Sequence, residues 1–213
     1  MKIAIIGATG FVGSAILNEL ANRNHDITAI ARTPNDTKNV TWIKADVFNV
    51  DALAETLKGN DVIINAYNPG WTNPNYTEDF DKGSKAIQEA AKKSGVKRFI
   101  TIGGGGSLFV APGVQAVDTP DFPKEYYAAA SAARDYLNVI KEEKDLDWAF
   151  FSPALEMHQG ITTGRTGKYR LGLENPVFND EQRSILSVED LAVAIADETE
   201  NAKHHQVRFT AAY

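Results

Sequence analysis

The amino-acid sequence predicts a doubly wound α/β fold, in which helices cover both faces of a mostly parallel sheet. Short aliphatic runs, typical of strands buried on both faces, alternate with longer segments whose apolar residues recur at helical spacing. The first run, residues 2–6, ends at a glycine and leads directly into a helical pattern over residues 11–22. Because parallel neighbours must be joined by crossovers, this alternation predicts a series of βαβ units.

Each element is predicted from its own pattern and from the residues that end it. The strands are aliphatic runs at residues 2–6, 26–31, 40–44, 61–66, 98–102, 148–151 and 206–211. The helices have apolar residues three and four apart, and they cover residues 11–22, 51–57, 80–93, 126–144 and 188–200. Gly59 and Gly95 close two of these helices.

No linker divides the chain, whose 213 residues suit one domain. We therefore expect a single domain over residues 1–213, with substrate-side loops at 67–78, 103–125 and 153–183. The loop that opens with four glycines, residues 103–106, is predicted to be irregular. A loop of that length in a compact domain is usually functional or mobile.

Composition excludes several classes of function. The chain has no cysteine, which rules out disulfides, thiolate catalysis and zinc–thiolate sites, and we expect no metal site. The net charge is −6, and the longest basic cluster, Lys92, Lys93, Lys97 and Arg98, is interpreted as surface residues at a helix end beside a strand. We therefore expect no nucleic-acid partner.

The chain shows no signal peptide or membrane span, which predicts a cytoplasmic protein without a membrane partner. No pattern in the sequence indicates an oligomeric state.

A glycine-rich loop lies between the first strand and the first helix. It reads Gly7-Ala8-Thr9-Gly10-Phe11-Val12-Gly13. The three glycines suit a tight turn, a close approach of backbone to a pyrophosphate, and close packing of helix on sheet. The helix start adds free N–H groups and a positive dipole end. The pattern predicts a Rossmann-type dinucleotide site, and the alternative is a turn that binds nothing.

The residue after the second strand bears on the choice between NAD and NADP. An NAD site usually has an acidic residue about 20 residues beyond the glycines, bonded to the ribose hydroxyls. Here that place holds Arg32, between Ala31 and Thr33. A guanidinium binds phosphate through two parallel hydrogen bonds, so Arg32 favours the 2′-phosphate of NADP. The alternative is a surface arginine, with NAD accepted instead.

With these residues in place, the chain resembles the atypical short-chain dehydrogenase/reductases. It is most similar to the small NAD(P)-binding proteins described as NADH-flavin reductases, which are related to biliverdin-IXβ/flavin reductase. The resemblance extends over essentially the whole chain. Besides the glycine loop, it rests on Ala45-Asp-Val47, Asn65-Ala66, Thr163-Gly-Arg-Thr-Gly-Lys-Tyr-Arg-Leu-Gly172, Ser187-Val-Glu-Asp-Leu-Ala192 and Arg208-Phe-Thr-Ala-Ala-Tyr213.

The resemblance implies further cofactor contacts. Residues Thr9 to Val12 would meet the pyrophosphate. Asp46 would accept a hydrogen bond from the adenine amino group, with the Val47 backbone beside it. Asp46 is equally suited to a helix cap or an ordinary turn, which aspartate favours.

At the other end of the cofactor, the resemblance places residues that follow the fourth and sixth strands. Ala66 and Tyr67 would line the path to the nicotinamide ribose. Pro153 and Ala154 would border the nicotinamide ring.

The usual catalytic pair of this family is absent. The family uses a tyrosine followed four residues later by a lysine, which lowers the tyrosine pKa. Here Tyr126 is followed at that spacing by Ala130, and Tyr127 by Ser131. Lys124 lies on the wrong side and is predicted to precede the helix. This departure argues against alcohol or ketone chemistry.

Hydride transfer to a flavin is compatible with the missing pair, because the flavin ring itself stabilises the added electrons. The candidate supporting groups are Ser107, Tyr127 and His158, each with a structural alternative: a loop serine, a packed tyrosine and a solvated histidine. Trp71, Phe109 and Phe122 could stack on a planar substrate or seal the loops.

The sequence therefore predicts an NADPH-dependent reductase of a flavin-like planar acceptor. The first alternative is a non-catalytic NADP(H) sensor similar to NmrA-type regulators, which share the fold and lack the pair. A sugar-nucleotide epimerase or dehydratase is a weaker alternative, since it needs the pair and usually a larger carboxy-terminal domain.

Overall fold

The computed structural model describes residues 1–213 and contains ten strands and five α-helices. The strands are β1 Lys2–Ile6, β2 Asp26–Ala31, β3 Val40–Lys44, β4 Val62–Asn65, β5 Arg98–Ile102, β6 Phe109–Ala111, β7 Val114–Gln115, β8 Asp147–Phe151, β9 Arg170–Gly172 and β10 Val207–Ala212. The helices are α1 Phe11–Asn22, α2 Val50–Leu57, α3 Tyr76–Ser94, α4 Lys124–Ile140 and α5 Val188–Asn201.

Eight strands form one sheet in the spatial order β3-β2-β1-β4-β5-β8-β10-β9, and all pairings are parallel except that of β10 with β9. The doubly wound fold predicted from the sequence is confirmed. The strand order reverses between β1 and β4, so the connections after these two strands diverge. A crevice opens at the carboxyl ends of the strands where the order reverses in this way.

Alternate residues of β1 supply the two hydrophobic cores. Ile3 and Ile5 belong to the cluster beneath α1 and α5, whereas Ala4 and Ile6 belong to the cluster beneath α2, α3 and α4. Successive strand residues point to opposite faces, so a sheet covered on both faces requires apolar residues without alternation. The uninterrupted aliphatic run of β1 follows from this requirement.

The carboxy-terminal motifs meet at one buried carboxylate. Asp190, in the first turn of α5, accepts hydrogen bonds from the backbone N–H groups of Thr166 and Gly167 and from the hydroxyl of Tyr213 at 2.7 Å. The side chain of Ser187 caps α5 by accepting from the N–H of Asp190 at 3.1 Å. These motifs therefore fasten the loop after β8 to the last helix and the chain end.

Two helices have boundaries that differ from the prediction by two residues or more. Helix α3 begins at Tyr76, four residues before the predicted start at Phe80, because Tyr76 is followed by three polar residues that obscure its helical spacing to Phe80. Helix α4 runs from Lys124 to Ile140 instead of residues 126–144, so Lys124 begins the helix and does not precede it. The chain turns after Ile140, where the Glu143 carboxylate accepts from the N–H of Asp145 at 2.7 Å.

The loop at 103–125 is more regular than predicted. It contains two short 3₁₀ turns and the hairpin of β6 and β7, whose strands are too short to show a periodic pattern. Arg208, which is fully buried, holds the hairpin in place: it donates to the carbonyl of Ser107, pairs with Glu174, and lies 5.3 Å from the ring of Phe109.

The basic cluster is divided between surface and core. Lys92 and Lys93 lie in the last turn of α3, where Lys92 pairs with Asp145 at 3.0 Å. Arg98 is buried and pairs with Glu198 of α5, so it belongs to the core and is not a surface decoration. No helix combines the length and the apolar character that are needed to cross a bilayer.

The packing of α1 on β1 gives a stability prediction. A Cβ at Gly13 would lie 2.1 Å from the carbonyl oxygen of Gly7, so Gly13→Ala should lower the free energy of unfolding by about 1–3 kcal/mol through overpacking. Asn18→Ala, at an exposed position of the same helix, should leave it unchanged or slightly raised. Urea unfolding measures both. A Gly13→Ala protein as stable as the parent would contradict the close approach.

Candidate functional site

A cleft of about 890 Å³ lies along the carboxyl ends of the central strands, at the predicted crevice. Its walls include the last residue of a strand or the residues that follow it from β1, β2, β4, β5 and β8: Ile6, Ala31, Ala66, Ile102 and Pro153. Because parallel strands end at the same edge, segments far apart in sequence converge on one cavity.

The glycine loop forms the floor of this cleft. Gly7 has φ +79°, and a Cβ there would lie 2.4 Å from the carbonyl oxygen of Ala66. Gly10 donates from its N–H to the carbonyl of Gly7 at 3.0 Å and precedes α1 as a cap without a side chain. The N–H groups of Phe11, Val12 and Gly13 have no acceptor within the chain. Such a helix start suits the pyrophosphate of a dinucleotide.

Two charged side chains lie at the β2–β3 end of the cleft. Arg32 is exposed and makes no ion pair or hydrogen bond with another residue, and the residues that follow β2 into the cleft, Arg32 and Thr33, include no carboxylate. The carboxylate of Asp46 accepts from the N–H of Phe48 at 3.0 Å, while Asn49 caps α2. Asp46 thus forms a turn and does not cap the helix, and its side chain still reaches the cleft.

The segment after β4 is held rigidly. Asn65 is buried; it donates to the hydroxyl of Thr101 at 3.1 Å and accepts from the N–H of Tyr67 at 3.0 Å. The hydroxyl of Tyr67 donates to the carbonyl of Asp79 at 3.2 Å. Burial, reinforced by the Asp79 carboxylate, raises the pKa of Tyr67 to about 12, so this tyrosine keeps its proton at neutral pH.

Gly83, in the middle of α3, makes room for Tyr67. A Cβ at Gly83 would lie 2.5 Å from the tyrosine ring. The sequence analysis missed this residue, although a glycine inside a helical pattern costs stability and so indicates a packing reason.

Five aromatic side chains, here named the aromatic wall, line one side of the cleft: Tyr67, Trp71, Tyr76, Phe80 and Tyr126. Trp71 stacks on Tyr76 at 5.8 Å between ring centroids, Tyr76 stacks on Phe80 at 5.9 Å, and Tyr126 meets Trp71 edge-on at 6.4 Å. Trp71 is 66% exposed, so the aromatic wall has accessible ring surface at this residue.

The other two predicted stacking residues do not reach the cleft. Phe109 lies beneath Arg208, and Phe122 packs beside Gly106. Tyr76, Phe80 and Tyr126 were missed as members of the wall, and the spacing of four residues between the first two was the available signal.

Helix α4 presents small residues to the cleft. Tyr126, Ala129 and Ala133 line it. Ala130 stands four residues after Tyr126, so the tyrosine on this helix face has no lysine at the spacing of the family's pair.

Of the three candidate catalytic residues, only His158 lines the cleft. Its Nδ1 accepts from the N–H of Gly160 at 3.1 Å. Ser107 is completely buried. Its hydroxyl donates to the carbonyl of Gly104 at 2.9 Å and lies 3.0 Å from the hydroxyl of Ser152, so this serine does not reach a substrate in the cleft. Tyr127 is 51% exposed and points away from the cleft, where Tyr126 takes its place.

The residues predicted to bind the cofactor lie around one cleft, with one exception. The cleft is lined by Gly7, Thr9, Gly10, Phe11, Val12, Arg32, Asp46, Val47, Ala66, Tyr67 and Pro153. Ala154 is buried behind Pro153 and does not line it. The individual binding roles of these residues stay predictions. No group of three or more His, Asp or Glu side chains is arranged to hold a metal ion.

Known proteins match this chain along its length. YwnB of Bacillus subtilis is 35% identical over 99% of this chain and 97% of its own length. A Bacteroides thetaiotaomicron structure named a "putative epimerase" is 43% identical with a TM-score of 0.89, and it covers 100% of this chain and 96% of its own. A Streptococcus pneumoniae structure named a "putative NADH-flavin reductase" is 32% identical with a TM-score of 0.87, and it covers 100% and 99%.

The family model described as NAD(P)H-binding matches residues 7–199, from the glycine loop to the end of α5. This match confirms the resemblance drawn from the sequence at the level of a nicotinamide-nucleotide-binding oxidoreductase family. The chain belongs to the NAD(P)H-binding family.

Proposed function

We propose that the protein is an NADPH-dependent reductase that transfers a hydride to a flavin-like planar acceptor. The observation that carries the proposal is the construction of the cleft: an anion-binding helix start at its floor, an aromatic wall on one side, and no tyrosine–lysine pair on α4. The similar Streptococcus pneumoniae structure, named a "putative NADH-flavin reductase", supports the flavin-type acceptor but not the choice of NADPH.

The preference for NADPH rests on Arg32. Its guanidinium has no partner within the chain and stands beside Thr33 at the mouth of the cleft. A free guanidinium at the end of β2, where an NAD site has a carboxylate, provides a binding group for the 2′-phosphate. The pyrophosphate would occupy the free N–H groups of α1, and Asp46 would lie near the adenine.

The chain's own part in the reaction is positioning. When bound, the reduced nicotinamide supplies the hydride. Ile102, Pro153 and Met157 line the inner cleft with apolar surface that excludes water, and the aromatic wall holds a planar ring against it. His158 lies within the same cavity and could deliver the proton that accompanies the hydride onto the acceptor.

A second candidate function is a sensor that binds NADP(H) without turnover. The observation in its favour is that the cleft-facing Tyr126 of α4 has Ala130, and no lysine, four residues later. The missing lysine also argues against an epimerase or dehydratase, because that chemistry needs a tyrosine with a lysine four residues later, and here Ala130 follows Tyr126 and Ser131 follows Tyr127 at that spacing.

Turnover separates the two candidates. Purified protein mixed with NADPH and a panel of flavins and quinones should consume NADPH well above the rate without protein, followed at the nicotinamide absorbance band. Tight NADPH binding with no consumption by any acceptor would instead establish the sensor.

Arg32→Ala tests the cofactor preference. Losing a charged hydrogen-bond partner of a phosphate costs about 1.5–3 kcal/mol, so NADPH affinity should fall about 10- to 100-fold. NADH affinity should change by less than about threefold, since NADH lacks that phosphate. Calorimetric titration measures both. Lys38→Ala is the matched control, because it removes an exposed cation outside the cleft. Equal losses for both nucleotides in Arg32→Ala would refute the phosphate role.

Trp71→Ala tests the aromatic wall. Loss of a stacked ring pair costs about 0.5–1.5 kcal/mol, so the acceptor KM should rise about 2- to 12-fold while NADPH affinity is unchanged. Phe178→Ala, which removes another exposed ring outside the cleft, should leave both values unchanged. If the two variants behave alike in steady-state assays, the wall does not bind the acceptor.

A further inference from the structure

We infer that the acceptor is an uncharged planar ring without a phosphate group, such as a quinone or the isoalloxazine of riboflavin, and that phosphorylated flavins are poor acceptors. The inference rests on the proposed function, because it concerns the molecule that meets the nicotinamide in the same cleft. It is carried by the distribution of charge around the cavity.

Lysine and arginine side chains line only one end of the cleft. Among the 32 residues that line it, the ionisable side chains other than tyrosines are Arg32, Asp46 and His158. Arg32 and Asp46 follow β2 and β3, at the end assigned to the adenosine. The opposite end, below β5 and β8, has no lysine or arginine.

The acceptor end is instead built from rings, apolar side chains and amides. Its lining consists of Asn68, Trp71, Tyr76, Tyr126, Leu155, Met157, His158 and Gln159. A phosphate bound there would meet no lysine or arginine, so it would gain none of the strong charge-assisted hydrogen bonds that these side chains give to phosphate. The net charge of −6 adds a general repulsion for anionic acceptors.

The arginines of the surrounding loops are already engaged. Arg183 pairs with Glu156, Arg165 pairs with Glu19 at 2.7 Å, and Arg170 donates to the carbonyls of Phe178 and Tyr213. Arg134 of α4 pairs with Asp118 at 3.1 Å.

Lys168 has no such partner but does not line the cleft, and the other unpaired cation of these segments is Lys124. It is exposed at the start of α4 and does not line the cleft. Lys124→Gln therefore checks whether it reaches a phosphate from outside, and we expect no change in selectivity.

The test compares flavins that share the isoalloxazine ring and differ in charge, with 1,4-naphthoquinone as an uncharged acceptor of a different ring system. At saturating NADPH, kcat/KM for riboflavin and for 1,4-naphthoquinone should exceed that for FMN and FAD by about tenfold or more, and the gap should narrow at high salt. FMN that is as good as riboflavin, or better, would overturn the inference.

A binding measurement keeps the inference separate from turnover. Quenching of flavin fluorescence by protein loaded with NADP⁺ should give a lower Kd for riboflavin than for FMN. If the protein consumes no NADPH with any acceptor, the proposed reductase activity is refuted, but the comparison of riboflavin and FMN affinities still stands. Equal affinities, or no binding of either flavin, would overturn the inference.

A gain-of-function variant gives the sharpest readout. Gln159→Lys places a cation at the acceptor end and should improve FMN relative to riboflavin by about tenfold. Asn22→Lys makes the same amide-to-lysine change at the far end of α1, outside the cleft, and should leave the ratio unchanged. If neither variant changes the FMN-to-riboflavin ratio, missing positive charge is not what selects the acceptor.

Discussion

The constraint on which the structure depends is a backbone-to-backbone contact among β1, α1 and β4. A side chain at Gly13 would collide with the Gly7 carbonyl, and a side chain at Gly7 would collide with the Ala66 carbonyl. Only glycine lets the three elements approach this closely. The approach turns the first N–H groups of α1 into the cleft at the point where the sheet order reverses, so the fold and the anion site have the same cause.

The cleft has two chemically different halves, and its two proposed tasks follow from them. The half below β2 and β3 carries Arg32 and Asp46, which suit the charged and hydrogen-bonding groups of an adenosine phosphate. The half below β5 and β8 offers rings and small alanines. A flat surface of this kind, without a tyrosine–lysine pair, suits an acceptor that stabilises its own added electrons. Such an acceptor needs positioning more than acid–base catalysis.

Much of the fold and of the cofactor half could be predicted from the sequence, because both depend on local patterns. Uninterrupted aliphatic runs identify strands buried on both faces, and strand ends in a parallel sheet meet at one edge. Ala66 and Pro153, which the family resemblance implied for the cofactor site, line the cleft at this edge. The acceptor half depends on distant contacts. Ser107 is buried and Tyr67 packs against Gly83 because segments far apart in the sequence meet there, and no local pattern predicts such contacts.

The central claim is that a nicotinamide dinucleotide binds at the exposed N–H groups of α1. Amide-detected NMR during titration with NADPH tests it most directly, because each of these groups gives its own signal. We expect the largest chemical-shift changes at the amides of Phe11, Val12 and Gly13 and at those of the residues around Arg32. Saturable binding that leaves those amides unmoved, or no binding at all, would contradict it.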